Sequence, residues 1–84
     1  MARRVVVWSA SARNELRAID RVTARTILEA IDRYLITGAG DVIKLQPPRT
    51  EFRLRVADYR VMFRRLDERT IEVLRVRHRG EAYR

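Results

Sequence analysis

Residues 52–65 read FRLRVADYRVMFRR. Phe52, Leu54 and Val56 alternate with Arg53 and Arg55, and after Ala57 and Asp58 the pattern resumes, with Tyr59, Val61 and Phe63 alternating with Arg60, Met62 and Arg64. A repeat of two is the mark of a strand with one face in a core. Two such runs separated by two residues read as a hairpin, with Ala57 and Asp58 as its turn. The apolar alternates want the core, so the arginines default to the other face.

Outward from this hairpin the chain keeps changing period. Asp67 and Glu68 make the next turn. Ile71 and Val73 then fall on one parity and Leu74 and Val76 on the other. Apolar residues on both parities predict a last strand that is either internal to its sheet or bulged near Val73. Upstream, VVVW at residues 5–8 predicts a first strand over residues 3–8. Ser9 or Ser11 can cap a helix whose buried side carries Ala12, Leu16 and Ile19. Thr23 is read as a second cap, before an apolar stripe of Ala24, Ile27, Ile31, Tyr34 and Leu35. Thr37, Gly38 and Gly40 end that helix. Residues 38–50, with Pro47 and Pro48, read as a loop. The order β-α-α-β-β-β is an α+β fold, with an N-terminal strand and helical hairpin packed on a small, curved, mainly antiparallel sheet. The expectation is a single domain over residues 1–84.

The composition narrows the function. The chain has 84 residues, no cysteine and one histidine. That argues against a disulfide framework or a thiolate metal site, and no cofactor is expected. No run is long and apolar enough for a membrane span, and the N-terminus does not read as a signal peptide. A cytoplasmic location fits. The net charge is +8, and residues 44–84 hold twelve basic groups against six acidic ones. All but Lys44 of the nineteen basic residues are arginine, the better bidentate ligand for phosphate. Nucleic acid or an acidic protein suits such a surface.

Arg53 and Arg55 share a strand face, and the turn brings Arg60 alongside on the neighbouring strand. Such a face can be merely solvated. It can also be a phosphate platform, since guanidinium groups gathered in one hollow repel each other until an anion arrives. Lys44, Arg64, Arg75 and Arg77 are further candidates for RNA contact, and Arg79 continues the last strand's basic parity. His78 and Tyr83 are the leading candidate proton carriers, with Lys44 and Glu81 ranked behind them. A cleavage reaction can be drawn with these groups and no metal. An RNA 2′-hydroxyl attacks the adjacent phosphate, the arginines steady the charged pentavalent state, and His78 or Tyr83 moves protons.

From Lys44 to Arg84 the sequence KLQPPRTEFRLRVADYRVMFRRLDERTIEVLRVRHRGEAYR resembles the C-terminal half of the RelE/ParE toxin superfamily. The YRLRVGDYR-like string followed by VxHR and a tyrosine carries the resemblance, and the preceding β-α-α order is similar in outline. The resemblance implies a small bacterial type II toxin restrained by a cognate antitoxin, with a heterotetramer among the expected assemblies. RelE-like members are ribosome-dependent endoribonucleases that cut messenger RNA; ParE-like members inhibit DNA gyrase. The family's basic sheet residues fall on Arg53, Arg55 and Arg60, its late arginine on Arg79 after His78, and its terminal tyrosine on Tyr83. Two departures stand out. Ala57 replaces a turn glycine, which predicts a strained turn. Arginines occupy the strand where lysine-using relatives carry their general base, which keeps the charge and weakens the base. The expectation is an mRNA interferase, with gyrase inhibition as the alternative.

Overall fold

The computed structural model describes residues 5–82. The element order is β1 (Val5–Trp8), α1 (Ala10–Arg17), α2 (Arg21–Thr37), β2 (Asp41–Lys44), β3 (Phe52–Val56), β4 (Tyr59–Arg65), β5 (Thr70–His78) and a short α3 (Arg79–Ala82). The five strands form one sheet in the order β1-β5-β4-β3-β2. β1 runs parallel to β5 and every other pairing is antiparallel. This is the expected α+β architecture with two additions. The segment read as a loop contains the edge strand β2, and the tail begins a helical turn. Residues 3 and 4 of the predicted first strand lie outside the described residues.

Local chemistry sets the boundaries. Ser9 caps α1, accepting from the Ala12 N–H at 3.0 Å, and its own hydroxyl donates to the Leu74 carbonyl at 2.8 Å. The second cap is Asp20 rather than Thr23: its carboxylate accepts from the Thr23 N–H at 3.0 Å, so Thr23 lies inside the first turn. An aspartate outranks a threonine as a cap, and the helix starts three residues earlier than expected. Gly38 closes α2 at φ 75°, where a side chain would be strained, and its N–H reaches the Tyr34 carbonyl.

The core lies between the two helices and one sheet face. Ala12, Ile27, Ile31, Tyr34 and Leu35 come from the helices. Leu54, Val56, Val61, Phe63, Ile71, Val73 and Val76 come from the sheet. Phe63 is 1% exposed and contacts the rings of Phe52 and Tyr34, with centroids 5.4 and 5.3 Å away. β5 is internal, between β1 and β4, and it is also bulged. Phe63 opposes Val73 while Met62 opposes Arg75, so Leu74 is an extra residue. The bulge lets Val73 and Val76, three apart, both point into the core. It thereby sends Arg75 and Arg77 to the opposite face.

Ala57 sits at φ 52° in the hairpin turn, the one non-glycine residue with positive φ among those described. The left-handed region costs an L-residue about 1–2 kcal/mol, and the stiffer unfolded chain of alanine recovers part of this. Ala57→Gly should therefore stabilise the fold by about 0.5–1 kcal/mol, read as a rise of a few degrees in Tm. A lower Tm would show that the turn is not strained.

Candidate nucleic-acid interface

The sheet face away from the helices is the basic face. Register places Arg55 directly opposite Arg60, and Arg60 directly opposite Arg77. One row of guanidinium groups therefore crosses three adjacent strands. With strands spaced about 4.8 Å apart, the row runs about 10 Å from β3 to β5. The next row is Arg53, Met62 and Arg75. Like charges directly opposite in a sheet oppose folding. Two carboxylates border the five arginines. Asp41 on β2 faces Arg55 in register and lies 3.9 Å from Arg53. Glu15 reaches in from α1 on the other side.

Arg53 is more enclosed than Arg75 or Arg77: its side chain is 15% exposed against 45% and 32%, and its Nε is buried with no hydrogen-bond partner. A buried donor left unsatisfied costs about 1–3 kcal/mol, more on a charged group. Arg64 differs, since it pairs with Glu72 across the strands at 2.7 Å. Arg79 opens α3, and its backbone N–H donates to the Asp58 carbonyl. This ties the start of the tail to the β3–β4 turn, at the end of the sheet that carries the Arg55–Arg60–Arg77 row.

Two of the sequence candidates do not join this face. His78 opposes Tyr59, which packs on the core side, and the two rings meet edge to face at 5.2 Å. With Glu15, Ala18, Ile19 and Val76 these rings line a small cleft beneath α1. His78 Nδ1 accepts from the Gly80 N–H at 3.2 Å. The imidazole is therefore on the helix side of β5, while Arg77 beside it is on the basic side. Lys44 opposes Phe52 and so also falls on the helix-side parity of β2. Tyr83 lies outside the described residues.

Glu15 is the residue at this face that the sequence reading missed. β1 covers only residues 70–73 of β5, so the β5 margin beyond Val73 needs another partner. Ser9 takes the Leu74 carbonyl, and Glu15 takes the Val76 N–H at 2.8 Å. The same carboxylate accepts from Arg75 Nε and Nη2, the latter at 2.8 Å, and stands 3.9 Å from Arg77 Nε. The signal was its place one turn after Ala12 and one before Ile19: an acid on a buried stripe requires a partner. Partial burial pushes the Glu15 carboxyl upward. The Arg75 hydrogen bond, the Val76 amide and the charges of Arg75 and Arg77 outweigh this and hold its pKa below the usual 4.5. A group depressed in the folded state stabilises above its unfolded pKa and loses that contribution as pH falls through the folded value. The urea midpoint should thus decline from about pH 4.5 downward, and Glu15→Gln should lose part of that decline. An identical pH profile for both proteins would refute the assignment.

Among the described residues, no three His, Cys, Asp or Glu side chains gather to hold a metal ion, and no helix is long and apolar enough to cross a membrane.

Residues 6–83 match the family model described as the ParE toxin of the type II toxin–antitoxin system parDE. Among solved structures the chain is similar to the archaeal RelE–RelB complex of Pyrococcus horikoshii, with 26% identity, 95% of this chain and 98% of that chain covered, and a TM-score of 0.73. It is also similar to the RelBE2 toxin–antitoxin complex of Mycobacterium tuberculosis, with 25% identity, 93% and 100% covered, and a TM-score of 0.72. The RelB–RelE antitoxin–toxin complex of Methanococcus jannaschii shares the fold at 20% identity, with 92% and 94% covered and a TM-score of 0.74. No curated protein matches the sequence. With a match that runs nearly end to end and a sheet topology held in common, the chain belongs to the ParE toxin family of type II toxin–antitoxin systems, within the RelE/ParE superfamily.

Proposed function

We propose that the protein is a toxin that cleaves messenger RNA on the ribosome, with the basic face as the seat of the scissile strand. The row Arg55–Arg60–Arg77, with the enclosed Arg53 beside it, supports this reading. A face that sets guanidinium groups opposite one another across three strands, with Arg53 enclosed among them, suits a polyanion laid over it. In-line attack by a 2′-hydroxyl places extra negative charge on the phosphate's non-bridging oxygens. Fixed guanidinium groups stabilise that charge more than the ground state, which is the requirement for catalysis.

Arginines stay protonated at neutral pH and cannot take the proton of the attacking hydroxyl. Proton transfer is assigned to the C-terminal segment, where Arg79 leads α3 and Tyr83 follows. His78 acts from beneath the strand as a positioning group, through its bond to the Gly80 N–H. The antitoxin partner presents an acidic segment to the basic face, matching its charge.

The experiment is primer extension on a message translated with the protein present. Cuts within codons support the reading. Intact ribosome-bound message together with stalled supercoiling by DNA gyrase would replace it with a protein-binding toxin. Two observations favour that second reading: the matched family model is described as ParE, and the one imidazole lies on the helix side of its strand.

A further inference from the structure

We propose that Met62 and Leu74 form the seat for one nucleobase of the RNA strand, an uncharged island in the middle of the basic face. The inference rests on the reading of this face as a phosphate platform and adds to it the place where a base goes.

Strand β4 shows the island first. Val61 and Phe63 turn into the core, so Arg60, Met62 and Arg64 share the other face. The bulge in β5 brings a second apolar side chain beside Met62. Val73 and Val76 both enter the core, so the two residues between them, Leu74 and Arg75, fall together on the basic side, opposite Met62. Arg53 opposes Met62 on the other flank. Met62 and Leu74 are each half-buried, which leaves apolar surface open among arginines. The carboxylates hold the two margins, Asp41 beside Arg53 and Glu15 beside Arg75 and Arg77, and the seat lies between them. One half-buried apolar residue on a surface needs no function. Two side by side, ringed by Arg53, Arg60, Arg64 and Arg75, lie where an RNA strand has an apolar part to place. Residues two apart along a strand are separated by about 7 Å. The island is that far from the Arg55–Arg60–Arg77 row, a distance that the ribose spans between a phosphate and its base. Phosphates on the row therefore set a base over Met62 and Leu74, and the contact removes both surfaces from water. The flat guanidinium groups alongside stack on the same ring. Aliphatic side chains offer no hydrogen bond to a base edge, so the seat accepts any base, and the flexible methionine adapts to each.

The test uses two short 2′-O-methyl oligoribonucleotides that cannot be cut, one with its bases and one with the same phosphates on abasic sugars. The unaltered protein should bind the base-bearing strand about three- to tenfold more tightly, a smaller gain than an aromatic platform gives. Met62→Ala and Leu74→Ala should each lose part of that advantage. Both should leave binding of the abasic strand unchanged, and with it the slope of log affinity against log salt, because phosphate contacts set that slope. In the unaltered protein, the methyl resonances of Met62 and Leu74 should move upfield under the ring current of a bound base and stay in place with the abasic strand, a readout that does not depend on a variant folding. Equal affinity for the two strands, methyl groups that ignore the bases, or variants that weaken both strands alike would overturn the inference and leave the platform standing. If the unaltered protein binds neither strand even at low salt, platform and inference fall together.

Discussion

Alanine at both Arg55 and Arg60 is expected to lower message cleavage at least about 10²-fold, while the fold stays as stable as before. On the proposed reading the two effects separate, because the pair meets an anion and lies outside the core. Removing one preorganised donor from a site of developing charge typically costs 10²–10³ in rate. The pair lies opposite in register on the face away from the helices, so the substitutions open no cavity. They also relieve a like-charge contact, which favours a slightly higher urea midpoint. The measurement pairs primer extension on a translated message with urea unfolding of the same sample. Unchanged cleavage would sink the assignment of the basic face. A collapse of stability would mean that the two guanidinium groups are structural.

Phe63→Ala should have the opposite profile, with a loss of about 3–5 kcal/mol of stability and no direct effect on the basic face. Phe63 is almost fully enclosed and stacks on Phe52 at an interplanar angle of 14°. It also touches Tyr34, whose hydroxyl accepts from Arg65 Nη2 at 2.7 Å, and Arg65 in turn lies over the Phe52 ring at 5.1 Å. The substitution removes the middle of a stack that joins α2 to the sheet. At roughly 0.05–0.15 kcal/mol per residue, a chain of 84 residues has about 4–13 kcal/mol in total. The loss therefore consumes much of the margin, and the variant should be partly unfolded at 37 °C. The check is the urea midpoint with an unchanged slope. A shift below about 1 kcal/mol would show that the core closes around the gap.

The hairpin that decides the fold was legible because its alternation is long enough to be unambiguous. Phe52 through Phe63 face the core as their parity demands, and the arginines between them share the other face. The apolar stripe of α2 was equally clear. The strand β2 was not: DVIK is too short to show a period, and it sits between Gly40 and two prolines that look like loop. The side taken by His78 could not be fixed from the sequence either. Parity is readable only until a bulge resets it, and β5 holds its bulge before Arg75. Arg75 and Arg77 join the basic face through that reset, and His78 leaves it for the same reason. Glu15 escaped because its partners lie sixty residues away, beyond any local pattern.

Both margins of the sheet are short. β1 and β2 have four residues each, while the nine-residue β5 is walled in by a neighbour or by α1 along its length. Stacked fibrils need apolar segments of roughly six or seven residues with their backbone groups on offer. The folded chain keeps its two longest strands, β4 and β5, inside the sheet, so copies crowded together meet only four-residue edges. Fibril growth in this protein should follow unfolding and be suppressed by whatever raises the midpoint, Ala57→Gly included.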